Sequence, residues 1–281
     1  NWSIIEEGFD VERVKSSESL FSIGNGAMGQ RANFEETYSG ETFQGSYIAG
    51  IYYPDKTKVG WWKNGYPEYF AKVLNAPNWI GIDIEINGEN LDLHQCASVR
   101  KFRRELNMKE GWYQRSFEAT LQNGTEIAVN VKRFLSIDLD EVGMINYEIS
   151  PLNKDAKIVY KPYIDAGVTN EDANWEEKFW EPLSVKNNGN EAFVTARTFK
   201  THFTATTFMQ NTILIDGKNN DQEKYDLSLI SLDGRVVFSN FDKISTSNTL
   251  LNNYVKYLNQ GIYILNIKGK DQSYSAKFVK E

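Results

Sequence analysis

The sequence is poor in the residues that most often carry chemistry. It has one cysteine, Cys96, and two histidines, His94 and His202. A single thiol excludes an internal disulfide. The pair His94-x-Cys96 falls short of the three or four ligands of a zinc site, so no metal is expected. No elbow-type nucleophile motif accompanies either histidine, and no P-loop is present. No apolar run nears the ~20 residues of a membrane-spanning helix. Positive charge is also scarce: the net charge is −7, and with no basic stripe a nucleic-acid partner is not expected.

Aromatic residues, by contrast, abound: 7 Trp, 15 Tyr and 16 Phe. Such side chains suit pleated sheets, and their faces also suit sugar rings. Hydrophobic residues make up 41% of the chain, enough for a substantial core.

Alternation by two dominates the pattern. From Gly111 to Leu121, Tyr113, Phe117, Ala119 and Leu121 fall on one side, with Gln114, Ser116, Glu118 and Thr120 on the other. Gln122-Asn123-Gly124 reads as a turn into a second strand, where Ile127, Val129 and Val131 alternate with polar neighbours. Trp79 to Ile86 alternates strictly and ends at Asn87-Gly88. Further strands are expected over Val142–Ile149, Lys157–Ile164, Glu191–Ala196 and Thr201–Phe208. Many short strands with Asn-Gly and Asp-Gly turns predict an all-β sandwich. Two short helices are expected, over Pro67–Leu74 and Asn170–Trp180.

The polar stretch DGKNNDQEK, Asp216 to Lys224, reads as a linker. It divides the chain into a large β-sandwich domain over 1–218, a connection over 219–224 and a small β-sandwich over 225–281. Strands in the last are expected over Tyr225–Leu232, Arg235–Ser239, Thr246–Leu251, Gly261–Ile267 and Ser273–Val279.

Three motifs invite a functional reading. Gly24-Asn25-Gly26-Ala27-Met28-Gly29 matches G-x-G-x-x-G, but no crossover helix or parallel strand comes after it, so it reads as a tight turn and no nucleotide or other cofactor is expected. The carboxylate pairs Glu35-Glu36, Glu176-Glu177 and Asp138/Asp140 have the residue types of glycoside cleavage, but in a chain with 38 acidic residues they read as solvated faces. Trp61, Trp62 and Tyr66, in the loop GWWKNGYPEYF, are candidate carbohydrate contacts; the same rings also fit a role as anchors for a long loop.

At the glycine turn a family resemblance becomes specific. The run Glu18 to Arg31, with Gly24, Asn25, Gly26, Gly29 and Arg31 at its turn, continues into Asn33-Phe34-Glu35-Glu36. It resembles the N-terminal domain of glycoside hydrolase family 65. Trp2 to Asp10, Tyr47 to Tyr52, Leu74 to Ile80 and Arg103 to Met108 are similar as well, so the likeness covers residues 1 to 215. Ala32 stands where that family usually has glycine. The resemblance implies a galactose-mutarotase-like β-sandwich and an inverting enzyme that cleaves α-linked glucose disaccharides by phosphorolysis or hydrolysis. It places the chemistry in an (α/α)6 barrel that this chain lacks, so no catalytic residue carries over. Because the linker arrives early, the sandwich is expected to be short of strands, with a homodimer partner or the barrel covering the open edge.

The tail resembles a different family. Leu258 to Lys268, Ser273 to Lys280 and the hairpin Leu232-Asp233-Gly234-Arg235-Val236-Val237 are similar to the C-terminal sorting domain of type IX secretion substrates. That resemblance implies a signal peptide ahead of Asn1, the type IX machinery as partner, and a secreted or cell-surface protein of a Gram-negative bacterium. An exported relative is expected to hydrolyse its substrate. A carbohydrate-binding or surface-interaction module is the alternative from another class.

Overall fold

The computed structural model describes residues 2–57, 67–171 and 177–215, and beyond these the backbone of strands up to residue 280. It forms two compact units, residues 1–210 and 211–281. In chain order the strands begin with β1 Ser3–Glu7, β2 Ile23–Gly24, β3 Met28–Gln30, β4 Ser46–Ile48, β5 Tyr52–Lys56, β6 Tyr69–Val73, β7 Ile82–Ile86 and β8 Glu89–Asn90. They continue with β9 Ser98–Asn107, β10 Trp112–Thr120, β11 Glu126–Leu135, β12 Gly143–Pro151, β13 Ile158–Pro162, β14 Trp180–Asn188, β15 Glu191–Thr198 and β16 Thr204–Gln210. One α-helix, α1 Val14–Leu20, is present among the described residues.

The alternating segments form the centre of the larger unit. A five-stranded antiparallel sheet runs in the order β1-β9-β10-β11-β12. The hairpin β10–β11 pairs Thr120 with Glu126, and Gly124 alone takes the positive φ that the turn needs. At the end of β7, Asn87 and Gly88 both have positive φ, the two-residue geometry that matches strand twist. Ile82, Ile84 and Ile86 of β7 pack against Phe117, Ala119, Ile127, Val129 and Val131 of the five-stranded sheet. This is a β-sandwich core built by period-two alternation on facing strands. A second cluster joins Tyr53, Leu74, Phe179 and Trp180 to Val194, Ala196 and Ala205 on β15 and β16.

One of the two helices expected from sequence is corrected, and the middle of the other lies outside the described residues. Pro67–Leu74 holds strand β6, paired with β5 from Tyr52↔Val73 to Lys56↔Tyr69. Cross-strand partners and the aromatic and β-branched content of Tyr-Phe-Ala-Lys-Val outweigh the proline signal. Around Asn170–Trp180, Thr169 bridges Lys178 and Trp180 opens β14, while residues 172–176 lie outside the described residues.

In the smaller unit, β17 Leu214–Ile215 pairs with β18 Lys218–Asn219, which lies inside the stretch Asp216–Lys224 read from sequence as a linker. Strands β19 Tyr225–Ser231, β20 Val236–Ile244, β21 Gly261–Lys268 and β22 Ser273–Lys280 form one antiparallel sheet in the order β20-β19-β21-β22. The Asp233-Gly234 turn and the expected strand Thr246–Leu251 lie outside the described residues.

Candidate functional site

The glycine motif connects β2 to β3. Gly26 has φ +94, a conformation that L side chains rarely adopt. Asn25 is the organising side chain. Its Oδ1 accepts from the backbone N–H groups of Ala27 and Met28, and its Nδ2 donates to the carbonyls of Ser136 and Asp140 at 2.6 and 2.8 Å. The turn is thereby tied to the β11–β12 connection. Gly24 and Gly29 are ladder partners. The motif leads into a strand, so no helix N-terminus faces a phosphate.

Arg31, the motif's cation, is spent on the protein itself. Its Nε donates to the Phe43 carbonyl, Nη1 to Ser19 Oγ and Nη2 to the Lys15 carbonyl. It stacks on the Phe43 ring at 4.6 Å and lies 3.7 Å from the buried carboxylate of Glu18. Ala32 is buried and its N–H donates to the Glu18 carbonyl, so the position expected to be glycine accepts a methyl group.

The next residues enter the core. Ala32, Asn33, Phe34, Glu35 and Glu36 are all buried, although the segment forms no strand. The expectation that Glu35 and Glu36 form a solvated face is corrected. Nη2 of Arg115 donates to Glu35 Oε2 at 2.7 Å and to Glu36 Oε2 at 2.6 Å, with all three side chains sealed from solvent. Tyr147 donates its hydroxyl to Glu36 Oε1, and Arg133 Nη1 lies 3.3 Å from Glu35 Oε1. Arg133 also donates from Nη2 to the Asn33 carbonyl. Phe34 lies under the guanidinium groups of Arg104 and Arg115.

The electrostatics reflect this packing. Burial opposes the charge on Arg115, but Glu36 and Glu35 more than offset it and hold the guanidinium protonated. Burial, then Glu36, pushes the Tyr147 hydroxyl well above its ordinary range. Burial pushes Tyr160 up to about 12, with Glu35 and Glu36 adding to it. Paired carboxylates can serve as acid and base only where a substrate can reach them. Here the carboxylates face guanidinium groups inside the sandwich, so their work is structural.

The remaining candidates disperse. Trp61, Trp62 and Tyr66 lie outside the described residues. Asp138 and Asp140 sit on the exposed β11–β12 connection. His94 contacts Ser39 Oγ through Nδ1 and packs edge-on against Tyr38. Burial, then Asp92, pushes the Cys96 thiol up to about 12, far from a reactive thiolate. Among the described residues no cluster of three or more His, Cys, Asp or Glu could hold a metal. Sequence reasoning missed Arg104, Arg115 and Arg133. The available signal was an arginine at an inward position of each alternating strand.

Fold and cluster together define an all-β sandwich domain whose signature residues build the scaffold. The chain belongs to glycosyl hydrolase family 65: the family's N-terminal domain matches residues 4–245. It is 46% identical over 202 residues to maltose phosphorylase of Bacillus subtilis (strain 168), covering 72% of this chain and 26% of the relative. It is 27% identical over 273 residues to alpha,alpha-trehalose phosphorylase of Thermoanaerobacter brockii, covering 92% of this chain and 34% of the relative. The solved structure of "Putative kojibiose phosphorylase from human microbiome" shares the fold, with a TM-score of 0.65 at 24% identity over 99% of this chain and 32% of that one. The chain thus spans about a quarter to a third of the length of these relatives.

Proposed function

We propose that this chain is the non-catalytic β-sandwich portion of an exported family 65 enzyme acting on α-linked glucose disaccharides of the maltose, kojibiose or trehalose type. The observation that carries the reading is the interior placement of Glu35 and Glu36. The segment that carries the family resemblance is used here to join strand β7 to β10, through the Glu35 carbonyl and the ion pairs to Arg115. The acid that protonates the glycosidic oxygen belongs, on this reading, to the (α/α)6 barrel of the full enzyme, and the sandwich supports it. The test is release of glucose and glucose 1-phosphate from maltose, kojibiose, nigerose and trehalose by this chain, with and without phosphate. No release is the expected result. Release of either product overturns the reading.

Residues 225–281 form, in this proposal, a type IX secretion sorting domain that directs the protein to the surface or exterior of a Gram-negative bacterium. The Leu258–Lys268 and Ser273–Lys280 sequences support it, as do four antiparallel strands in a short span. One observation favours a second reading: the family match continues to residue 245, past the linker, which makes the first tail strands part of the family domain. Fusing 225–281 to a periplasmic reporter in a type IX-competent bacterium separates the two. Surface display supports sorting, and periplasmic retention supports the second reading.

A further inference from the structure

We propose that the open edge of strand β12 is a dimerisation surface, where it pairs antiparallel with β12 of a second copy of this chain. The pattern of hydrogen bonds shows which groups this edge offers. The Leu152 N–H donates to the Glu126 carbonyl at one end of β12, and the Ser136 N–H donates to the Val142 carbonyl at the other. Even-numbered residues of β12 therefore turn their backbone groups toward β11, so those of Met144, Asn146, Glu148 and Ser150 are committed. The N–H and C=O groups of Ile145, Tyr147 and Ile149 point the other way, and among the described residues they have no partner. Native sheets protect such an edge with lysine, proline, a bulge or a covering element. β12 has no lysine, its pairing with β11 is unbroken, and its one proline is its last residue. Other edges are managed: β14 carries Pro182 with a bulge beside it, and β1, at the opposite edge of the same sheet, is tied through Glu6 to Ser17 of α1.

A row of backbone donors and acceptors at strand spacing is matched by another strand, and β12 is complementary to itself. With a two-fold axis at Tyr147 all of Gly143–Pro151 pairs, Gly143 with Pro151 of the second copy. Ile145 then meets Ile149 of the second copy, and Tyr147 meets its own equivalent, in pairs that exchange backbone hydrogen bonds through the groups left open. Between them Asn146 meets Glu148 of the second copy, an amide donor against a carboxylate. Within one chain the Asn146 amide already donates to Glu148 at 2.8 Å, so the two groups are positioned to exchange partners. Glu148 is the only charge on the strand. An axis at Glu148 would set two carboxylates face to face, which opposes pairing. An axis at Asn146 would leave Ser150 and Pro151 unpaired. Ile145 and Ile149, half-buried and packed against the core, gain cover from the same residues of the second copy. Each copy uses its one β12 edge in this contact, so association closes at two. The proposal is independent of any sugar chemistry and goes beyond the reading above.

Sedimentation velocity of the full chain over a concentration series, with amide hydrogen exchange at both ends of the series, tests the contact. A monomer–dimer equilibrium is expected. The amides of Ile145, Tyr147 and Ile149 should gain protection as the dimer forms, while those of Met144, Asn146, Glu148 and Ser150 stay protected throughout. Asn146→Glu sets like charges opposite each other on both sides of the axis and should weaken the dimer about tenfold or more. In its own sheet the new carboxylate faces Lys132, which favours the fold. Asn146→Glu combined with Glu148→Lys makes the facing charges opposite and should restore association. A chain that stays monomeric at every concentration overturns the proposal. So does a dimer that ignores Asn146→Glu, one that leaves the amides of Ile145, Tyr147 and Ile149 unprotected, or growth beyond two copies. If Asn146→Glu does not fold, the exchange pattern of the unaltered chain decides alone.

Discussion

Arg104 and Arg115 stand directly opposite each other on β9 and β10, and both are sealed from solvent. Like charges so placed destabilise a sheet unless something intervenes. The segment 32–36 is what intervenes. Phe34 offers its ring to both guanidinium groups, at 5.2 and 4.6 Å, and Glu35 and Glu36 take the charge of Arg115. Arg104 has Glu6 at 3.5 Å.

Removing the central cation should therefore be severe. Arg115→Met leaves two buried carboxylates facing each other without their shared partner. The expected cost is about 3–5 kcal/mol in urea unfolding, as for other buried pairs broken from one side. Arg115→Met combined with Glu35→Gln and Glu36→Gln should recover much of that loss. Arg100→Met, at an exposed ion pair, should change stability by about 0.5 kcal/mol or less. A mild Arg115→Met phenotype would contradict the structural role given to the cluster.

Asn25 holds two connections with one side chain. Asn25→Ala removes its hydrogen bonds to Ala27, Met28, Ser136 and Asp140. The expected cost is about 1–3 kcal/mol, because carbonyls and N–H groups lose their partner together. Amide hydrogen exchange over 136–142 should accelerate more than elsewhere in the larger unit. Uniform acceleration would mean that Asn25 does not clamp this connection.

Alkaline pH should weaken the fold in a defined window. The Tyr160 hydroxyl and Cys96 thiol are both raised to about 12, chiefly by burial, and Tyr147 is raised well above its ordinary value of 10.0. Below the ordinary values of 9.0 for the thiol and 10.0 for the phenols, folded and unfolded chains are both protonated and the full contribution is present. As pH rises past those values the unfolded chain releases its protons first, so stability falls until about pH 12. Denaturant midpoints from about pH 8 to 12 should show this decline, and Tyr160→Phe should flatten part of it. A flat profile would exclude burial of these groups in their neutral forms.

Gly143, the first residue of β12, touches the Trp79 ring. A Cβ at this position would lie 2.4 Å from Cη2 of that indole. Gly143→Ala should cost about 1–3 kcal/mol as an overpacked contact and shift Trp79 fluorescence as the ring is displaced. Unchanged emission and stability would show that the ring has room to move.

The alternating strands β7, β10 and β11 were legible because one face of each is buried, and burial at period two leaves its mark in residue type. The turns at Asn87-Gly88 and Gly124 were legible because positive φ selects few residues. The ion cluster was not. Arg115 breaks the apolar face of β10, and its partners lie about eighty residues away in sequence, so no local pattern pairs them. Strand β6 was misread as helical because Pro67 resembles a helix start, while the pairing that makes it a strand comes from β5. Helix α1 was missed because Val14–Leu20 buries Val14, Ser17 and Glu18, a stripe with little apolar signature.

The buried path of residues 32–36 gives the protein an internal clock. These five residues have no side open to solvent, and their backbone is held from three directions, by Glu18, Ile82 and Arg133. A protease or a modifying reagent meets this stretch only after the sandwich parts. A peptide containing it, tracked by mass spectrometry, would therefore time the opening of the larger unit itself, whatever the surface loops do.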